Sequence, residues 1–313
     1  MELTGKAVLV ATVALVCGAC GEGAPPARSS ADPAPGDALR RGTAAISFEA
    51  KKGGGKAFPF ALVEGKVGDQ PARFILDTGA SAHVIDASIA GAAKLAAPIK
   101  ASSIAIDGFG ELPEGTASVA ELSGALRAHG IGGILAPQLL ADRGQAVVLD
   151  LVNRQLRSRP KSTAWSEMED LGAILTPPAQ RQVCAVDSGG SAGRLLAVDA
   201  TVEGEAMRVS IDTGASRTLF VEGSKAGTRA AGHPVLGRSV VVGTGGDVAT
   251  SIYGGVPVSV GAWSSTVDVG LFAGARHPQC GHEGRLGIDV LQQCAIAMTA
   301  EEFLVACRAL ASR

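Results

Sequence analysis

The chain contains a second copy of one of its own segments. Residues 60–81 (FALVEGKVGDQPARFILDTGAS) align without a gap on residues 195–216 (LLAVDATVEGEAMRVSIDTGAS), and eight of the 22 positions are identical. A repeat constrains architecture more than any single motif, because two segments with one pattern are expected to build two like units. In each copy an apolar run precedes a turn, Gly68-Asp69 or Glu203-Gly204, and a second apolar run leads to Asp-Thr-Gly. That is the signature of a hairpin. The likeness resumes later, where Ile134 to Leu140 corresponds to Arg285 to Leu291. Each of these is followed by two apolar runs around a polar turn, Ala146 to Leu156 and Ala295 to Val305. Lobe 1 is therefore placed at 43–160, a connector at 161–187 and lobe 2 at 188–313. Short apolar runs, 42 glycines and little helical periodicity make the expected fold all-β.

The N-terminus reads as an export signal. Lys6 precedes the apolar run Ala7 to Val16, too short to span a bilayer comfortably, and small residues lead into Cys20. Residues 1–20 are thus expected to be a signal of the lipoprotein type, lipidated at Cys20, although Cys17 stands where Leu is usual in such boxes. An ordinary secretory signal or a lone N-terminal anchor helix is the alternative, and either exports the chain. Residues 21–42, rich in Ala, Pro, Ser and Gly, read as a flexible linker that would hold the lobes away from a membrane. The expected location is a bacterial membrane surface, facing the periplasm or the exterior.

With 28 Lys and Arg against 30 Asp and Glu, the chain offers no basic field for a nucleic acid, which is excluded as a partner. Four cysteines follow the signal, Cys184, Cys280, Cys294 and Cys307. An even number in an exported chain points to disulfides, with three pairings open. If a turn spans Thr299 to Glu302, Cys294 and Cys307 face each other across a hairpin, which leaves Cys184 for Cys280. His277, Cys280 and His282 lack a fourth ligand at any recognised zinc spacing, so no metal is expected.

The chemistry is carried by Asp77 and Asp212, each delivered by an apolar strand into a turn with a glycine, Gly79 or Gly214. A carboxylate held rigidly and partly desolvated in this way has a tunable proton affinity. One such turn alone reads equally well as a capped structural turn. Two in matching context, each followed by an apolar-apolar-small loop, resemble the aspartic peptidases and within them the retropepsin-like branch. The resemblance covers nearly all of residues 55–310. It implies the acid-protease fold, with two retropepsin-like β-barrel lobes pairing within one chain as an intramolecular pseudo-dimer. It implies Asp77 and Asp212 as a catalytic dyad supported by Thr78, Gly79, Thr213 and Gly214. It also implies glycine-rich flaps, with Gly243 and Gly245 as candidates in lobe 2 and Gly108 and Gly110 in lobe 1. Ala136 stands where the family has glycine, a departure expected to loosen lobe 1 beside its aspartate.

What the resemblance implies is a monomeric aspartic endopeptidase, needing no cofactor, that hydrolyses peptide or protein substrates with a water activated by the dyad. The alternative is a catalytically silent lipoprotein that binds extended peptides.

Overall fold

The computed structural model describes residues 9–12, 42–49, 58–142, 144–187, 192–243 and 246–308. Cys17, Cys20, the linker up to residue 41 and Gly245 lie outside them. Within the expected signal, Leu9–Thr12 runs as a strand parallel to Val240–Gly243.

Each lobe starts from the repeated hairpin. Phe58–Val67 pairs antiparallel with Gln70–Leu76, and Ala197–Val202 with Glu205–Ile211. Glu203 and Gly204 both take positive φ, 49° and 84°, the backbone twist that a two-residue hairpin turn needs. The second strand of each hairpin has the same burial sequence, half-exposed near the turn and ending in three consecutive buried residues. Those residues are Phe74, Ile75 and Leu76 in lobe 1 and Val209, Ser210 and Ile211 in lobe 2. Alternation gives way to burial there because a second strand comes alongside in parallel, Ile131–Leu135 in lobe 1 and Gly284–Leu286 in lobe 2.

The sheets share one strand order. Lobe 1 runs Thr116–Ala120, His83–Asp86, Ile131–Leu135, Gln70–Leu76, Phe58–Val67, Ile104–Ile106. Lobe 2 runs Trp263–Phe272, Leu219–Val221, Gly284–Leu286, Glu205–Ile211, Ala197–Val202, Gly246–Val260. The last lobe-2 strand also pairs with the first, which closes a ring of six strands, whereas the lobe-1 sheet stays open. The fold is thus mostly β, with one like sheet in each lobe, as expected from the repeat.

A six-stranded antiparallel sheet joins the halves, in the order Ala173–Ile174, Phe303–Cys307, Cys294–Met298, Gln145–Asp150, Gln155–Pro160, Thr43–Ala45. At its centre Val148 faces Ala297, with Val147 opposite Met298 and Leu149 opposite Ile296. The sheet is therefore nearly symmetric about this central pair. The connector is more ordered than its polar composition implies. Helix Lys161–Glu169 lays Ala164 and Met168 against Ala146, Val148, Ala295, Ala297, Leu304 and Ala306, whose small side chains let it approach closely.

Cys294 and Cys307 are direct cross-strand partners and form a disulfide, with Cα atoms 3.9 Å apart. Cys184 and Cys280 form the other, with Cα atoms 5.9 Å apart. Non-reducing peptide mapping of the protein is expected to recover these two linkages; a Cys184–Cys294 peptide would contradict them. The Cys184–Cys280 bond spans 96 residues of sequence. Closing so long a loop in the unfolded chain is worth on the order of 4 kcal/mol in the chain-entropy account.

Candidate active site

The two Asp-Thr-Gly turns meet back to back. Thr78 Oγ1 donates to the Ile211 carbonyl at 2.7 Å and accepts from the Thr213 amide at 3.0 Å. Thr213 Oγ1 donates to the Leu76 carbonyl at 2.7 Å and accepts from the Thr78 amide at 3.0 Å. Both threonines are fully buried. Each hydroxyl thus satisfies one donor and one acceptor of the opposite lobe, which fixes the two turns relative to each other.

Each aspartate amide donates to the neighbouring parallel strand, Asp77 to Leu135 at 2.9 Å and Asp212 to Leu286 at 3.0 Å. Their Oδ1 atoms accept from Gly79 at 2.7 Å and from Gly214 at 3.0 Å. The glycines are required by space. A Cβ on Gly79 would fall on the Asp212 carboxyl group, and a Cβ on Gly214 on that of Asp77. The two carboxyls are thereby packed across the lobe interface, each 2% exposed. Burial first, and then the nearby charge of Asp212, push the Asp77 carboxyl well above the usual carboxylate range, while the Gly79 amide and Arg285 pull less strongly the other way.

The sequence did not single out Arg285, whose Nη1 donates to Asp212 Oδ2 at 3.2 Å. Its signal was present in the repeat, where it aligns with Ile134 at a position expected to be apolar.

The segments beneath the turns are supported differently in the two lobes. In lobe 2, Gly287 N donates to Thr218 Oγ1 at 3.2 Å, and Thr218 donates its amide and hydroxyl to Asp289, each at 3.0 Å. In lobe 1, His83 replaces Thr218 and accepts from Ala136 N on Nδ1 at 3.1 Å. Gln138 replaces Asp289 and donates to the carbonyls of Ala80 at 2.6 Å and Arg194 at 2.8 Å. A Cβ on Gly287 would collide with the Arg217 backbone, whereas the Ala136 methyl is fully buried in an apolar cluster with Phe60, Leu62 and Ile134. The Asp77 and Asp212 backbone bonds beside these segments are alike in length, 2.9 and 3.0 Å.

His83 carries a consequence for stability. Burial pushes its imidazole down to about 4 from an ordinary 6.5. Between those values the unfolded chain holds a proton that the folded chain lacks, so stability falls as pH drops from 6.5 towards 4, by about 3 kcal/mol when complete. His282, pushed down to about 3 mainly by burial, acts in the same direction. Thermal unfolding followed against pH should show this slope, and His83→Asn should flatten it. An unchanged slope in the variant would reject the assignment.

The flap candidates differ. In lobe 2, Val235–Gly243 and Gly246–Val260 form a long hairpin with Gly243 facing Gly246. Among the described residues, Gly246 to Thr250 pairs only with its own partner arm, whose Val240–Gly243 also carries Leu9–Thr12 alongside, so the end of the hairpin extends beyond the ring. In lobe 1, Gly108 and Gly110 sit in a short turn pinned against residues 42–43, where Gly42 N donates to the Phe109 carbonyl at 3.1 Å. Phe109 itself is buried in the core. The flap expectation for Gly108 and Gly110 is corrected accordingly. The ladder gives the reason. Val67 faces Ile104, 37 residues on, and its counterpart Val202 faces Val258, 56 residues on, so lobe 1 lacks the 19 residues a flap would occupy.

His277, Cys280 and His282 have potential ligand atoms within 4.8 Å of one another. The sulfur is committed to Cys184, and His277 Nδ1 accepts from the amides of Gln279 at 3.3 Å and Cys280 at 3.1 Å. The three do not present a ligand set.

No curated protein matches the chain. Residues 63–135, which hold the first Asp-Thr-Gly turn and the strand beside it, match the family model described as aspartyl protease.

Proposed function

We propose that the chain is an exported, lipid-anchored aspartic endopeptidase in which Asp77 and Asp212 act as one dyad. The observation that carries this reading is the reciprocal packing of each carboxyl on the glycine of the opposite turn, which holds two acids together in a buried setting. Two carboxyls so placed share one proton, as in the aspartic proteases. Asp77, whose carboxyl is pushed well above the usual range, is the proton donor, and Asp212, in contact with Arg285, is the base. Asp212 then removes a proton from water as it attacks the scissile carbonyl carbon, and Asp77 donates its proton to the carbonyl oxygen. In the collapse the C–N bond breaks, the leaving amine takes the proton gained by Asp212, and one hydroxyl of the gem-diol returns its proton to Asp77 as the C=O bond re-forms, which restores the dyad. An extended peptide would lie between the lobes under the lobe-2 hairpin, bound through strand-like main-chain hydrogen bonds.

Ala80 and Ala215 bring no side-chain hydroxyl towards the dyad. Activity is therefore expected in mildly acidic solution, on the order of pH 5, fading as the shared proton is lost towards neutrality. The test is to incubate residues 21–313 with a diverse peptide pool from pH 3 to pH 7, beside Asp77→Asn. Acid-dependent products absent from the variant support the reading, and none at any pH defeats it. The Arg285–Asp212 pair favours a second reading, in which the cleft binds extended peptides without turnover; that reading predicts retention of peptides with no products.

A further inference from the structure

Strand Gly284–Leu286 alternates between two faces. A Cβ on Gly284 would come within 2.7 Å of both Met207 and Phe220, so this position looks into the lobe-2 core, where Leu286 is also fully buried. Arg285 points the other way, to the face that carries the Asp212 carboxyl. Asp212 Oδ1 is taken by the Gly214 amide, so the oxygen that Arg285 holds, Oδ2, is the one left for chemistry.

The two lobes line their shared cleft differently at this point. In lobe 1 the matching residue, Ile134, is buried among Phe60, Leu62, Ile75 and Leu122. In lobe 2 the counterpart of Ile75 is Ser210, directly across the ladder from Arg285. The guanidinium lies 5.9 Å from the Phe272 ring centre. The neighbouring His277 and His282 are both held below the ordinary imidazole range, His277 by burial and then by the charge of Arg285, His282 by burial, then by His277 and then by Arg285, and they add no negative charge. Among the described residues Asp212 is the ion-pair partner of Arg285. The Arg285 side chain is 16% exposed. A guanidinium carries five N–H donors in a planar fork, and one bond to Asp212 leaves most of that fork to take a second planar anion.

We propose that Arg285 is a specificity residue that selects substrates with a carboxylate side chain, Asp or Glu, at a residue flanking the scissile bond on the lobe-2 side. A group in contact with Asp212 reaches only the substrate residues next to the bond being cut. A neutral side chain there desolvates the open edge of the guanidinium without replacing its water, and a carboxylate replaces it with charge-assisted bonds. This inference rests on the reading of Asp77 and Asp212 as a peptidase dyad, and its test separates the two.

Matched peptides, Asp against Asn and Glu against Gln at each residue flanking the cleaved bond, are compared as substrates of the wild type, Arg285→Ile and Arg285→Lys. Non-cleavable reduced-amide versions are compared as ligands by calorimetry. At one of the two positions the wild type should favour the acid by about tenfold or more in kcat/KM and in affinity. Arg285→Ile, which installs the lobe-1 residue, should lose that preference, and Arg285→Lys should keep part of it. A wild type that treats acid and amide within about twofold, or an Arg285→Ile protein that retains the preference, overturns the proposal. Cleavage without acid preference removes this inference and leaves the peptidase. An acid preference in reduced-amide binding without cleavage removes the peptidase and leaves the role of Arg285.

Discussion

Asn at position 77 or at position 212 is expected to lower kcat/KM on any cleaved peptide by about a thousandfold or more, and by similar factors. The similarity follows from the geometry. Each aspartate hangs from its own parallel strand by one backbone bond, of 2.9 and 3.0 Å, and each rests on the glycine of the other turn. Neither carboxyl can serve as both base and acid, so loss of one removes the reaction. The amide of Asn can still accept the Gly79 or Gly214 N–H on its oxygen, so the fold should survive the change. Circular dichroism with an unchanged melting profile would separate loss of chemistry from loss of structure. A single variant with near-native turnover would show that the pair is not a unit.

Thr78→Val should destabilise the protein by about 2–6 kcal/mol, and Thr213→Val by a similar amount. Valine keeps the shape of the side chain and removes its hydroxyl. In Thr78→Val the Thr213 amide and the Ile211 carbonyl lose their partners inside a fully buried interface. Each such orphan costs about 1–3 kcal/mol. Serine at either position retains the hydroxyl and should cost much less. Denaturant unfolding of the four variants measures the difference. A valine variant within about 1 kcal/mol of the wild type would mean that the hydroxyls do not hold the lobes together.

The repeat made the architecture legible because each strand is equivalent to a partner about half a chain away. Aligning the halves paired the aspartates, the resemblance to the aspartic peptidases supplied the threonines between the lobes, and the turn at Thr299 to Glu302 set the register of Cys294 against Cys307. What the repeat could not carry was asymmetry. Gly108 and Gly110 have the positive φ values of turn glycines, 76° and 111°, and such a turn looks alike in sequence whether it tips a long flap or a short hairpin pinned to the core. The deciding quantity was the distance along the chain to the next ladder residue. Arg285 was hidden for a related reason. It occupies one position of an otherwise apolar match, and its meaning comes from Asp212, which strand pairing brings within 3.2 Å across 73 residues. The support that His83 gives Ala136 likewise joins residues 53 apart.

The account rests on both carboxyls of one site coming from a single chain. The direct measurement is to mix purified Asp77→Asn and Asp212→Asn proteins and assay cleavage over a range of concentrations beside the wild type. A dyad formed within one chain predicts that the mixture stays as inactive as either variant alone, while the specific activity of the wild type does not change with dilution. Recovery of a substantial fraction of wild-type activity on mixing, or loss of wild-type activity on dilution, would mean that the lobes pair between chains and would contradict it.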